Sequence, residues 1–449
     1  MLLNMVYIPA VAEAPLVEIY VSANGSDSAS GGINEPVTLT KARELMYAKR
    51  KAGNRVDIHI EEGTYVLSSP LEFTEGYSGT EQCPVRFVAD GEVIITTATE
   101  IQFDGFAKIT DDDIRDGIKA TVRNKIYKVN LSDYGITAGD MPVYSGIDIK
   151  GAETDDKFLT YTGDNYDDVS VFTESTELPV AQYPNGEGNY LKWLSITGDK
   201  SFSVEKAVSD NWESEKFAYF EGYPGYEYSC ERNNVTVSDG IVNLVNPIRS
   251  SMRRDGSNRY KIKHMLYELD VPGEWYIDRE TNVLYIYPTE SVKEKGISVT
   301  ANKMSPIRLR KANYLTFEGI TFDRIRGNAV LGTYNANSVT FKNCTFSNIS
   351  NQAIFIRADG NTAQYSAYLK SSNFTGGAKN FLIDSNKFIN IGSNAIEIYG
   401  GTRESLTNSN NIISNNYVYN ASSKQKCNPN IIMRGFGGKI INNEIHSKP

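Results

Sequence analysis

Five segments decide the fold: YLTFEGITF at residues 314–322, SVTFKNCTF at 338–346, NFLIDSNKF at 380–388, NIISNNYV at 411–418 and KIINNEI at 439–445. Aligned, they place Phe317, Phe341, Ile383, Ile413 and Ile440 in one column and Phe322, Phe346, Phe388, Val418 and Ile445 in another. A column between these two, Ile320, Cys344, Asn386, Asn416 and Asn443, changes from apolar to amide along the series. Each segment but the last leads into a second short apolar run, at 329–331, 353–356, 395–398 and 431–433. Successive starts lie 24, 42, 31 and 28 residues apart, and the longest interval holds a polar insertion at 359–379.

Short strands recurring at such a period, with loops of variable length between them, predict a parallel β-helix. Coils would stack at the inter-strand spacing of about 4.8 Å, so that each aligned apolar position becomes a continuous interior column. The Asn column suits an amide ladder, because each buried amide can donate to one neighbour and accept from the other. Leucine-rich repeats would require a recurrent LxxLxL with helices, which the sequence lacks.

Upstream of the repeat, Val17–Ser22 alternates as a strand and enters a turn-rich loop at 23–28. A helix is predicted from Thr38 to Met46, with Thr38 or Thr40 as cap, Leu39, Ala42 and Met46 on one face, and Gly53 past its end. Short strands follow at Val56–Glu61, Tyr65–Leu67, Leu71–Phe73, Val85–Val88 and Val93–Ile95, so the helix would cap the open end of a strand stack. Between 101 and 296 the repeat vanishes. Runs at Trp193–Thr197, Phe217–Phe220 and Val235–Val237, with a hairpin folding 266–278 back on Val283–Tyr287 around Asn282, predict an antiparallel β-sandwich or barrel. The chain therefore divides into a leader at 1–15, a capped start of the stack at 16–100, a β-rich insert at 101–296 and coils at 297–449.

Composition narrows the function. Over 449 residues, 46 basic against 55 acidic side chains leave a net charge of −9, which disfavours a general phosphate-binding face. Three scattered histidines (His59, His264, His446) and four cysteines without a CxxC pair exclude a multi-histidine zinc site and a zinc ribbon. No metal and no cofactor are expected. The run Leu2–Ala12 resembles the apolar core and cleavage site of a secretory signal whose basic start is missing, since the first basic residue is Lys41. A secreted protein with a clipped signal is expected, an ordinary leader being the alternative. No later apolar run is long enough for a membrane helix.

Five passages carry a family likeness: YVSANG at 20–25, EGTY at 62–65, PGEWYID at 272–278, GGTRESL at 400–406 and NNEIH at 442–446. On these the chain resembles the right-handed parallel β-helix proteins of polysaccharide breakdown, within them glycoside hydrolase family 141 and its relatives. The resemblance implies an all-β, right-handed parallel β-helix with a capping helix and an inserted module, acting on a polysaccharide or oligosaccharide as a monomer. It also implies further coils bearing the catalytic aspartates, so a chain ending at Pro449, with Ile440 and Ile445 on an open end, is expected to be a fragment with little or no catalysis.

Glycosidic hydrolysis needs two carboxyl groups, one to protonate the leaving oxygen and one to act as nucleophile or base. Strand-borne candidates are Glu318, Asp323, Asp384, Glu397 and Glu444. Glu397, between Ile396 and Ile398, should face outward, and with the loop carrying Arg403 and Glu404 could wall a cleft. His446, with no evident acid partner, could shuttle a proton or orient a hydroxyl. Arg403 and Arg434 are candidate substrate-binding residues, Arg434 as a clamp for a uronate carboxylate. Aromatics of the insert (Tyr219, Phe220, Tyr223, Tyr226, Tyr228) could stack on sugar rings. The acidic runs 111–113 and 155–156 lack the spacing of a calcium loop. Alternatives to hydrolysis are a pectate-type polysaccharide lyase and a non-catalytic carbohydrate-binding or surface protein.

Overall fold

A computed structural model describes residues 13–110, 117–137, 139, 168–225, 227, 230–246, 248, 252–253, 256–333, 335–356, 377–402, 405–424 and 428–447. Most of the predicted leader, the acidic runs at 111–113 and 155–156, Tyr226, Tyr228, Arg403 and Glu404 lie outside the described residues. The fold is mainly β, with long parallel sheets.

The chain starts with the strand Leu16–Val21 and the helix Leu39–Lys51. Thr38 Oγ1 accepts from Lys41 N at 3.1 Å and satisfies one of the helix's orphan donors. Leu39, Ala42 and Met46 are buried in the core that also holds Ile19, Val56 and Ile58. Four of the five short strands predicted next are fused, pairwise, into Arg55–Val66 and Val85–Thr96, while Leu71–Thr74 stands alone. Gly63 (φ 153°) and Gly91 (φ 128°) let each strand bend at a shift in register while the parallel ladder continues on both sides.

After Thr96 the chain leaves the stack, and it resumes there at Ile307 as though nothing intervened. Phe317 pairs in parallel with Phe87, and Phe322 with Ile95. From there the register follows the repeat: Phe317, Phe341, Ile383, Ile413 and Ile440 pair in one row, and Phe322, Phe346, Phe388, Val418 and Ile445 in another. Rings of Phe87, Phe317 and Phe341 stack at 5.2 and 5.0 Å, and those of Phe322, Phe346 and Phe388 at 4.9 and 5.0 Å. Replacing one such buried Phe by Ala would cost about 3–5 kcal/mol.

The amide ladder forms as well. Asn386 donates to Asn416 Oδ1 at 3.0 Å, and Asn416 to Asn443 Oδ1 at 2.8 Å. A second parallel sheet runs from Leu71–Thr74 through Ile307–Arg310, Val330–Thr333, Ile354–Ile356 and Ile396–Gly400 to Ile431–Gly435. Two corners recur in the coils. Asn343, Ser385, Asn415 and Asn442 hold one, and Arg324, Asn348, Asn390 and Asn420 the other, all with φ between 52° and 58°. Asn tolerates this left-handed conformation better than most residues, and six of these eight positions are Asn.

Thr99–Ile101 pairs antiparallel with Ile297–Val299 and closes the neck of the insert. Antiparallel sheets of seven, four and four strands make up the insert, and both neck strands belong to one of the four-stranded sheets. Phe202, Phe220 and Tyr260 project from one face of the seven-stranded sheet, and Trp212, from a short helical turn, packs in the same core. The hairpin of Trp275–Asp278 with Val283–Ile286 turns at Asn282 (φ 56°). Two strands shift from their predicted places. Trp193 packs in the core just ahead of the strand Ser195–Gly198, and the run from Phe217 becomes the strand Tyr219–Tyr223.

Candidate functional site

Most strand-borne carboxylates of the coils serve the scaffold. Glu318 bridges to Arg86 at 3.0 Å. Asp323 is buried and receives Ser347 Oγ at 2.6 Å, Asn348 Nδ2 at 2.8 Å and Arg324 Nε at 2.7 Å. Asp384 accepts from Ser414 and Asn415, and the Ser414 hydroxyl above all holds its carboxyl below the ordinary value. These acids brace successive corners of the stack.

Glu397 differs from its expectation. It points away from the core residues Ile396 and Ile398, yet it is only 4% exposed. Tyr399 Oη and Gln352 Nε2 donate to its two oxygens. Burial pushes its carboxyl up, against the pull of those hydrogen bonds and of the Arg434 charge. It is therefore a sequestered carboxyl in a polar network rather than a solvated cleft wall. Arg434 lies on the next strand, paired with Tyr399, and its guanidinium stands 5.7 Å from that ring. The structure thus brings Glu397 and Arg434 onto one face.

His446 lies on the other parallel sheet, half exposed, with Nε2 2.6 Å from Glu444 Oε1. Its acid partner is the residue two positions earlier on the same strand face, a relation that strand alternation alone could have supplied. His446 is not brought together with Glu397.

A larger site, absent from the sequence-based candidates except for two tyrosines, lies where the insert meets the coils. It is a cleft of about 470 Å³. Strand alternation builds one wall. In Tyr219–Tyr223, residues 219, 221 and 223 face one way while Phe220 enters the core. The neighbouring strand Arg259–Lys263 is paired so that Lys263 sits opposite Tyr219 and Lys261 opposite Glu221, with Tyr260 and Ile262 turned inward. On the other flank Arg232 is opposite Glu221. A polar face of Tyr, Glu, Lys and Arg results, backed by an apolar one. Phe220, proposed with the tyrosines as a sugar-stacking residue, belongs to that core.

Electrostatics pre-arrange this wall. Arg232, 4% exposed, lies 2.5 Å from Glu221 and 2.6 Å from Asp168. Lys263 contacts the other Glu221 oxygen. Burial alone would raise the Glu221 carboxyl, but Arg232 and Lys263 hold it well below the usual carboxylate range. Glu221 is thus firmly ionised. Burial, helped by the Lys263 charge, pushes the Lys261 ammonium down to about 8. His264 also lines the cleft, and burial first, then the Arg279 charge, lowers its imidazole to about 3, so it is neutral.

The facing wall comes from the coils and the neck. Asn348, Asn390 and Asn420, from three successive corners, line it with Ser423 and Lys424. Lys424 donates to Ser170 Oγ at 2.7 Å and Glu177 Oε1 at 2.8 Å, tying the coil to the neck of the insert. Two further carboxyls are pushed up by burial, Glu215 to about 7 and Glu274 to about 8. Both accept from backbone N–H groups, of Tyr267 and of Asp270 and Val271, and neither lines the cleft. Among the described residues no three His, Cys, Asp or Glu side chains converge as metal ligands, and no helix is long and apolar enough to cross a membrane.

No known family model matches the sequence, and no curated protein matches it. Solved structures do resemble the fold. One described as a glycoside hydrolase is similar at a TM-score of 0.62 and 15% identity, over 96% of this chain and 95% of that one. Another, described as XylC in complex with xylose, is similar at a TM-score of 0.51 and 12% identity, over 95% of this chain and 58% of that one. At such identities the likeness concerns the fold.

Proposed function

We propose that this chain is a secreted carbohydrate-active protein on a right-handed parallel β-helix, similar to glycoside hydrolase family 141, and that it hydrolyses a polysaccharide held between insert and coils. The observation that carries this reading is the cleft, with tyrosine rings on one wall and amides, hydroxyls and fixed charges on both. A sugar ring has apolar C–H faces and a rim of hydroxyls, so it requires both kinds of surface. The fold likeness to a structure described as a glycoside hydrolase, across nearly the whole of both chains, supports the same reading. Glu221, kept ionised, suits the nucleophile or base, and the proton donor comes from Asp168, Glu177 or Glu187, the other carboxyls lining the cleft among the described residues. Incubating the protein with xylan and pectic oligosaccharides should release reducing ends, and Glu221→Gln should abolish the release. Silence of the unaltered protein on every substrate would contradict hydrolysis, and an unsaturated product absorbing in the ultraviolet would indicate a lyase instead.

One observation favours a second reading, binding without turnover. Glu221 and Asp168 are both engaged by Arg232. Carboxylates so occupied can accept hydrogen bonds from hydroxyls without exchanging a proton. Calorimetric binding with no product would select this reading.

A further inference from the structure

The coil wall of the cleft is periodic, and its period has a chemical meaning. Asn348, Asn390 and Asn420 occupy the same corner of consecutive coils, each with its backbone in the left-handed region (φ 53°, 55° and 55°). Their side chains form a ladder separate from the buried Asn386–Asn416–Asn443 one. Asn390 Nδ2 donates to Asn348 Oδ1 at 3.2 Å, and Asn420 Nδ2 donates to Asn390 Oδ1 at 2.8 Å. At its lower end Asn348 donates to Asp323 Oδ1 at 2.8 Å, which anchors the row. An amide carries two N–H donors and two lone pairs on its oxygen. Asn390 spends one of each along the ladder, which leaves one donor and one acceptor without a partner among the described residues. Asn386 and Asn416 of the other ladder are 1% exposed and enclosed by the core, whereas Asn348, Asn390 and Asn420 all line the cleft, Asn390 and Asn420 being partly exposed and Asn348 7% exposed.

The rise between coils is the inter-strand spacing of about 4.8 Å. That is close to the length of one pyranose ring with its linking oxygen in an extended chain. A linear glycan laid along the stack would therefore meet an equivalent donor–acceptor pair at each sugar. Tyr190, 38% exposed on the opposite wall, offers ring surface to the apolar faces of the same sugars, while Tyr219 and Tyr223 line that wall at only 6% and 7% exposure.

We propose that the cleft takes an internal stretch of an unbranched polysaccharide running along the stack axis, one sugar per coil over Asn348, Asn390 and Asn420. The inference rests on the glycan reading of the cleft and adds the direction, the register and the linear character of the ligand.

The test is calorimetric titration of the full chain with linear xylo-, cello-, manno- and galacturono-oligosaccharides of one to six sugars. For the series that binds, affinity should climb by roughly three- to tenfold with each added sugar up to three or four, then level off, because each position adds one or two hydrogen bonds. Asn390→Gly keeps the left-handed corner and removes the amide. It should weaken trisaccharide binding about tenfold, and weaken monosaccharide binding less, because a single sugar can still occupy the positions over Asn348 and Asn420. Affinity independent of length, or a trisaccharide indifferent to Asn390→Gly in a variant with an unchanged thermal midpoint, would overturn the inference while the glycan reading stands. Absence of binding by every probe would overturn both. The length series on the unaltered protein decides the matter even if the variant does not fold.

Discussion

In the coil stack each interior position is filled once per coil, in two of the columns by an apolar residue every time. In the insert's seven-stranded sheet each position is filled once only. Phe341 has Phe317 below it and Ile383 above, all held in one parallel register. Among the described residues Arg232 alone reaches from Glu221 to Asp168. Repetition gives the stack its stability from many equivalent contacts, while the insert concentrates charge in one network beside a cleft. The difference separates a scaffold from a site, and the two should fail in different ways.

The largest effect is expected in the stack. Phe341→Ala should lower unfolding free energy by about 3–5 kcal/mol, read from urea denaturation, with glycan binding retained in the molecules that remain folded. A loss under about 1 kcal/mol would mean that the columns are not the stabilising element.

Next comes Arg232→Met, which leaves Glu221 and Asp168 without their shared partner. Removing one member of a buried ion pair costs about 3–5 kcal/mol, and here binding should be lost as well. The variant also has a pH signature. The folded carboxyl of Glu221 lies below its unfolded value, so its pairing contributes stability that is present above about pH 4.3 and lost as pH falls below it. Acid destabilisation of the unaltered protein should therefore be steeper than that of Arg232→Met. Equal acid sensitivity would show that the network does not hold Glu221 ionised.

Smallest is Glu397→Gln, on the outer face of the stack. Burial raises this carboxyl in the folded state, so the folded protein holds the proton longer and stability is lost as pH rises from about 4.3 through the folded value. A neutral Gln escapes that loss. It should match the unaltered protein within about 1 kcal/mol at pH 4 and equal or exceed it at pH 8. A variant much weaker at pH 8 would mean that Glu397 is ionised and needed as an ion.

The same contrast explains what the sequence made legible. Both phenylalanine rows and the Asn386–Asn416–Asn443 ladder could be read directly, because a repeat aligns with itself and each copy confirms the others. Glu397 was placed on the correct face, but alternation says which way a side chain points and nothing of what covers it. The strands on either side of Gly63 and Gly91 read as separate because glycine marks a turn and a bend alike. Glu221 and Arg232 were missed, since their pairing depends on a strand register that no local pattern fixes. A signal for the cleft was present in YFEGY at 219–223 and RYKIK at 259–263, each alternating core residues with tyrosine or charge. Asn348, Asn390 and Asn420 each stand two residues after the column of Phe346, Phe388 and Val418, yet their meaning depends on the insert that faces them.

The central claim is that the space between insert and coils is where a sugar chain sits. A crystal of the full chain soaked with a linear tetrasaccharide from the series that binds in solution tests it most directly. The account predicts sugar density between Tyr190 and the Asn348–Asn390–Asn420 row, with successive rings spaced like the coils. Density elsewhere, over Glu397 and Arg434 or on an outer sheet face with the cleft left empty, would contradict it.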